Sequence, residues 1–148
     1  MELLRSFPLT PLAPGEARRA LEELGAAVEA EIFQDLRIVV TELVMNTVRQ
    51  WGARPGHSVQ LKVELGADRV RVEVLHEGNG YSRAPSGAGG HGRGLLMIER
   101  LASRWGVEPG PGTKMWVELA LRAPWKVPGL GSGTRETPSL PGACRRAS

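Results

Sequence analysis

Val59-Gln-Leu61-Lys-Val63-Glu-Leu65-Gly66-Ala-Asp68-Arg-Val70-Arg-Val72-Glu-Val74-Leu-His76-Glu-Gly78-Asn-Gly80 is the stretch that settles the architecture. Val59, Leu61, Val63 and Leu65 alternate with polar residues, Gly66-Ala67-Asp68 supplies a turn, and Val70, Val72 and Val74 alternate again. Side chains at every second position share one face of a strand, so the segment predicts a β-hairpin with one apolar face. Gly78 and Gly80 follow the second strand directly. Glycine there lets backbone pass close to something flat or bulky, with a simple turn as the plainer alternative.

Upstream the period changes. Ile32, Phe33, Leu36, Val39, Val40, Leu43, Val44 and Trp51 form one wide apolar stripe, which predicts a helix over about residues 30–51. Before it, Pro14 suits a first helical turn, and Ala17, Leu21, Leu24 and Val28 continue at helical spacing. Arg18–Glu22 and Arg19–Glu23 are i,i+4 pairs on the exposed side of that helix. Residues 2–7 read as a short first strand.

Downstream, a glycine-rich stretch spans residues 78–94. A third helix then carries Leu95, Ile98, Leu101 and Ala102 on one side. Trp105–Val107, a Pro109-Gly110-Pro111-Gly112 turn and Lys114–Leu121 read as a closing hairpin. Strands and helices come in clusters, which argues for an α+β fold with one sheet and helices packed on one face.

Composition narrows the classes of function. A chain of 148 residues supports one domain. No run of about 18 apolar residues is present, and the first residues lack the pattern of a secretion signal, so a cytoplasmic protein without a membrane span is expected. Cys144 is the only cysteine, which leaves no internal disulfide and no cysteine-based metal cluster. The net charge is +3, yet residues 1–122 hold 15 Lys+Arg against 15 Asp+Glu. The surplus sits in residues 123–148, as Lys126, Arg135, Arg145 and Arg146 against Glu136. A nucleic-acid-binding domain carries its basic face on the folded part, so no nucleic-acid partner is expected. Four prolines and four glycines mark that last segment as a Pro/Gly-rich basic tail, and the domain as residues 1–122.

Three local patterns carry chemistry. Glu42 and Asn46 lie about 40° apart around the second helix, on the rim of the apolar stripe. A carboxylate and an amide there can share a water or a hard cation such as Mg²⁺ through oxygen, or can simply be a helix edge. Gly87, Gly89, Gly90, Gly92 and Gly94 crowd into the approach to the third helix. Backbone N–H groups and a helix N-terminus suit an anion, with Arg93 as a further phosphate contact; a plain loop is the alternative. The pattern GxxxxGK[ST] is absent, so this is not a P-loop. The third pattern is Leu75-His76-Glu77-Gly78-Asn79-Gly80 at the end of a strand.

Taken in order, these segments resemble the motifs of the histidine-kinase-like ATPase superfamily, which includes DNA gyrase and the histidine kinases. Glu42-Leu-Val-Met-Asn46 resembles its N box, Val74-Leu-His76-Glu-Gly78-Asn-Gly80 its first glycine box, and Gly92-Arg-Gly94-Leu-Leu-Met-Ile98 its second. Gly112-Thr113-Lys-Met-Trp116 resembles the segment that closes the pocket. Within the superfamily the short chain is similar to the anti-sigma regulatory factors, which are serine/threonine protein kinases, and Gly92–Val107 is especially typical of them. The resemblance covers residues 2–122.

The resemblance implies a Bergerat-type two-layer sandwich, a mixed sheet covered on one face by about three helices, with ATP under a lid over residues 81–93. By position, Asn46 would hold Mg²⁺ and Glu42 would be the base that activates a partner's serine hydroxyl. Gly92 and Gly94 would donate N–H groups to the phosphates beside Arg93, Gly78 and Gly80 would leave room for the nucleotide, and Thr113 would line the adenine pocket. Phosphoryl transfer needs mainly positioning and charge neutralisation, which such a set supplies. His76 stands where the family has Asp, whose carboxylate accepts a hydrogen bond from the adenine amino group. A neutral imidazole accepts only through its unprotonated nitrogen. Glu77 is the neighbouring carboxylate, but a shift of one residue points it to the other face.

Two functions are therefore expected. One is an ATP-binding anti-sigma-factor-like serine kinase that phosphorylates an anti-anti-sigma (STAS-type) partner and sequesters a sigma factor. Its partner face would include Arg18 and Arg19, and homodimers are common in the resembled group. The alternative is a catalytically degenerate module of the same fold that regulates by binding alone.

Overall fold

The protein is described from a computed structural model, which describes residues 1–77, 93–108, 112 and 114–121; for residues 93–95 it describes the backbone. The expected tail, residues 123–148, and most of the expected lid lie outside the described residues.

Strand β1 (Glu2–Pro8) leads into helix α1 (Ala13–Ala20), a 3₁₀ segment (Leu21–Ala27) and the long helix α2 (Ala30–Trp51). Strands β2 (Ser58–Leu65) and β3 (Arg69–Glu77) form the hairpin read from the alternation. Helix α3 (Arg93–Leu101) and strands β4 (Arg104–Glu108) and β5 (Lys114–Ala120) complete the domain.

The five strands form one sheet in the order β1-β2-β3-β5-β4. All four pairings are antiparallel, where the resemblance implies a mixed sheet. The reason is topological. The β3–α3–β4 crossover returns β4 in the direction of β3, but β5 folds back between the two and pairs antiparallel with both.

Alternation decides which face of the sheet the helices cover. Val59, Leu61 and Val63 from β2, Val70, Val72 and Val74 from β3, and Met115, Val117 and Leu119 from β5 are buried against Leu36, Val39, Val40, Leu43 and Val44 of α2. Ala13 and Ala17 bring α1 onto the same core, and Ile98 brings α3. Burying a Val or Leu side chain contributes roughly 1.5–3 kcal/mol, so this layer supplies the main stabilising force.

The other face of the sheet carries charge around a ring. Glu118 is buried beneath arginines, accepting from Arg71 Nη1 at 2.9 Å, with Arg104 Nη1 at 3.7 Å and Arg69 Nε at 3.9 Å. The Arg71 guanidinium lies 4.5 Å over the Trp116 ring. A Cβ on Gly106 would stand 2.9 Å from that ring, so only glycine allows the indole to lie flat on β4.

The first helical segment departs from its expected form. The apolar spacing through Val28 predicts one helix, but the backbone tightens into the 3₁₀ segment at Leu21. Side chains four apart no longer stack there, and the expected i,i+4 pairs do not form. Glu23 instead pairs with Arg5 of β1 at 2.6 Å, and Glu22 lies 3.6 Å from Arg37 of α2. Arg18 Nη1 reaches Thr41 Oγ1 at 3.4 Å.

Candidate functional site

The second half of α2 runs over the end of the sheet where β3 finishes and β5 begins. Glu42 and Asn46 both sit half-buried at its edge, as the helical spacing requires. Asn46 Nδ2 donates to the Met115 sulfur at 3.2 Å, tying helix to sheet. Asn46 Oδ1 accepts no hydrogen bond from a described residue and so is left as an oxygen acceptor. Glu42 makes no side-chain hydrogen bond or ion pair with a described residue. Met115 pairs with Val74, so Asn46 stands two residues from His76 along the strand next door.

His76 falls in phase with Val70, Val72 and Val74 and turns its ring toward the helices, only 5% exposed. Trp51, the last residue of α2, stacks on it with ring centroids 4.0 Å apart and 21° between planes. His57 stands just ahead of β2, two residues before Val59, the cross-strand partner of His76. Its Nδ1 lies 3.0 Å from His76 Nε2, a hydrogen bond in which one ring donates and the other accepts. Burial, first of all, pushes the His76 pKa below the ordinary 6.5, and the nearby charges of His57 and Arg54 push the same way. His76 is accordingly neutral at physiological pH.

The Trp51 Nε1–H is buried and has no hydrogen-bond partner among the described residues. Arg54 crosses the outside of this cluster, donating from Nε to the Trp51 carbonyl at 2.8 Å. Gly112 seals it from the β5 side: a Cβ there would collide with the His76 carbonyl oxygen and crowd Leu75 Cδ1. The segment before β5 thus meets the end of β3 backbone to backbone, which requires glycine.

Glu77 points away, as the period of two demands, and accepts from Ser58 Oγ and Gln60 Nε2 at 3.3 Å each. It is no substitute for a carboxylate at position 76. Arg93 opens α3, which packs on α2, and Gly94 lies in its first turn. The expected contributions of Gly78, Gly80, Gly92 and Thr113 lie outside the described residues. Among those described, no group of three or more His, Cys, Asp and Glu is arranged to hold a metal ion, and no helix is long and apolar enough to cross a membrane.

Two members of this cluster escape sequence reasoning. Periodicity places Trp51 only in an apolar stripe, and it gives His57 no role. A signal is present all the same: counting back from the Gly66-Ala67-Asp68 turn sets Val59 opposite His76 and leaves His57 just beyond that end of the hairpin.

Comparison with known proteins agrees with this fold. A family model described as a histidine kinase-like ATPase domain matches residues 7–120, from the end of β1 to the end of β5. No curated protein matches the chain. Because that match takes in every element that builds the site, the chain belongs to the histidine kinase-like ATPase domain family.

Proposed function

We propose that the chain binds Mg·ATP at the corner between α2, β3, β5 and the start of α3, and transfers the terminal phosphoryl group to a serine of a regulatory partner. The observation that carries this reading is the placement of Glu42 and Asn46 on one half-buried edge of α2, with Asn46 turned by Met115. The donor chemistry fits the ligand. Asn46 Oδ1 is a hard oxygen of the kind Mg²⁺ takes, and the backbone N–H groups that open α3 face an anion favourably.

Bound Mg·ATP supplies the phosphoryl group and its charge neutralisation. Asn46 holds the cation, and the start of α3 with Arg93 orients the phosphates. Glu42 accepts the proton of the attacking serine hydroxyl as its oxygen bonds to phosphorus and the bond to the ADP oxygen breaks. The partner we favour is a STAS-type anti-anti-sigma protein, with a sigma factor sequestered by the same chain. Arg19, exposed on α1, belongs to the surface offered to them.

The test is a pair of measurements on the purified chain. Calorimetric titration with Mg·ATP should give binding that Asn46→Ala weakens and Glu42→Gln preserves. Incubation with Mg·ATP and a STAS-type protein should yield phosphoserine by mass spectrometry, lost in Glu42→Gln. Binding that ignores both Mg²⁺ and Asn46 sinks the proposal.

A second reading, regulation by partner binding without catalysis, is favoured by one observation. His76 is covered by Trp51 and tied to His57 rather than open to a base. Under that reading the natural chain does not bind Mg·ATP, while it still binds its partner.

A further inference from the structure

Asn46 Nδ2 reaches from α2 across to β5 and donates to the Met115 sulfur at 3.2 Å. Met115 is buried under the helix, 6% exposed, in register with Val74 of β3. A thioether sulfur accepts hydrogen bonds and never donates them. It can therefore meet the amino end of the Asn46 amide but not its oxygen. An apolar side chain of the same size would meet either end equally.

A stronger acceptor stands on the same edge of the helix. Glu42 precedes Asn46 by four residues, a spacing at which helical side chains are neighbours and can hydrogen-bond. A bond from an amide to an ionised carboxylate is stronger than one to sulfur. Yet Glu42 makes no side-chain hydrogen bond with a described residue, while Asn46 reaches down to Met115. Desolvation explains the choice. Glu42 is only half-buried and its carboxylate keeps water as a partner, so trading that water for an amide gains little. The buried sulfur has no water to give up.

We infer that Met115 is a positioning residue: its sulfur holds the Asn46 amide off Glu42, which keeps Asn46 Oδ1 free for the cation and the Glu42 carboxylate free to take a proton. The inference rests on the proposed Mg·ATP site and adds to it a residue of β5 that acts through Asn46. Without the sulfur the amide turns to Glu42, and a single contact then occupies both groups.

The experiment measures what the cation adds to nucleotide binding, as the ratio of the ATP dissociation constants in EDTA and in Mg²⁺, by calorimetry. It is applied to the natural chain, to Met115→Leu and to the double variant Met115→Leu/Glu42→Ala. Leucine nearly conserves the volume of methionine, so the fold should survive, and circular dichroism melts verify it. In Met115→Leu the ratio should fall about threefold or more, because only molecules with a free Oδ1 bind the cation. Affinity for ATP in EDTA should stay within about twofold of the natural value. Removing the carboxylate as well should restore most of the ratio, since the amide then has no acceptor to turn to. A packing role for Met115 gives no such rescue. In the free protein, ¹⁵N NMR should show the Asn46 side-chain amide resonance displaced in Met115→Leu and displaced less in the double variant.

A natural chain with a clear Mg²⁺ dependence that Met115→Leu leaves unchanged overturns the inference, and the proposed site stands. So does an affinity that falls equally with and without Mg²⁺, which makes Met115 a packing residue, and so does a ratio that stays low in the double variant. A natural chain that does not bind ATP, or binds it without regard to Mg²⁺, overturns the inference and the proposed site together.

Discussion

His57 Nδ1, just ahead of β2, and His76 Nε2, near the end of β3, lie 3.0 Å apart and share a single hydrogen beside the ring of Trp51. This relationship makes the end of the β2–β3 hairpin sensitive to protonation. The folded-state pKa of His76 is lowered, mainly by burial and then by His57 and Arg54. The unfolded chain takes up its proton first, at about pH 6.5. Stability is therefore complete above that pH and is lost as pH falls toward the lower folded value, where the loss levels off. Melting temperatures at about pH 7.5 and about pH 5.5 should show the drop. In His76→Asn the part of the drop due to this residue disappears; an unchanged pH dependence in that variant contradicts the assignment.

Asn46→Ala separates binding from folding. The substitution removes one hydrogen bond to a thioether sulfur, a weak acceptor, so the cost in stability should stay under about 1 kcal/mol. Nucleotide affinity in Mg²⁺ should fall about tenfold or more, and the difference between titrations with Mg²⁺ and with EDTA should vanish. A large drop in stability with unchanged affinity would assign Asn46 to packing alone.

Gly112→Ala tests the closure of the corner from the β5 side. The added methyl collides with backbone, which moves far less readily than a side chain end. Overpacking of this kind costs about 1–3 kcal/mol, read as a lowered urea midpoint at unchanged slope. Nucleotide binding should weaken in the same variant, since β3 and β5 must part. A wild-type midpoint would mean that the two backbones have room to accept a methyl group.

Glu118→Gln examines the far face of the sheet. Glu118 is buried, and it accepts from Arg71 while Arg69 and Arg104 approach it. Losing its charge takes the carboxylate from Arg69 and Arg104 while Arg71 keeps Glu73 at 2.9 Å, and the partial exposure of the arginines limits the damage to roughly 1–3 kcal/mol. Thermal unfolding measures this. Nucleotide affinity should be unchanged, because the face lies across the sheet from the site.

Much of the fold is legible in the sequence because local periodicity carries it. The stripe from Ile32 to Trp51 marks α2, and the alternation from Val59 to Val74 marks the hairpin; neither needs distant contacts to be read. The outward turn of Glu77 follows from the same period of two. Boundaries that depend on packing are harder. The tightening at Leu21 is set by how α1 meets β1 and α2, and the pairing of Glu23 with Arg5 over Arg19 follows from it.

The sequence by itself determined the layers, the sheet-facing residues, and the two side chains on the rim of α2, since each depends only on a repeat along one element. Only the tertiary structure decided that β5 inserts between β3 and β4, that Gly112 presses on the His76 carbonyl, and that Trp51 stacks on His76. Those residues are brought together by the crossing of α2 over the sheet and by pairing between strands distant in the chain. A period within one segment holds no record of where that segment crosses another.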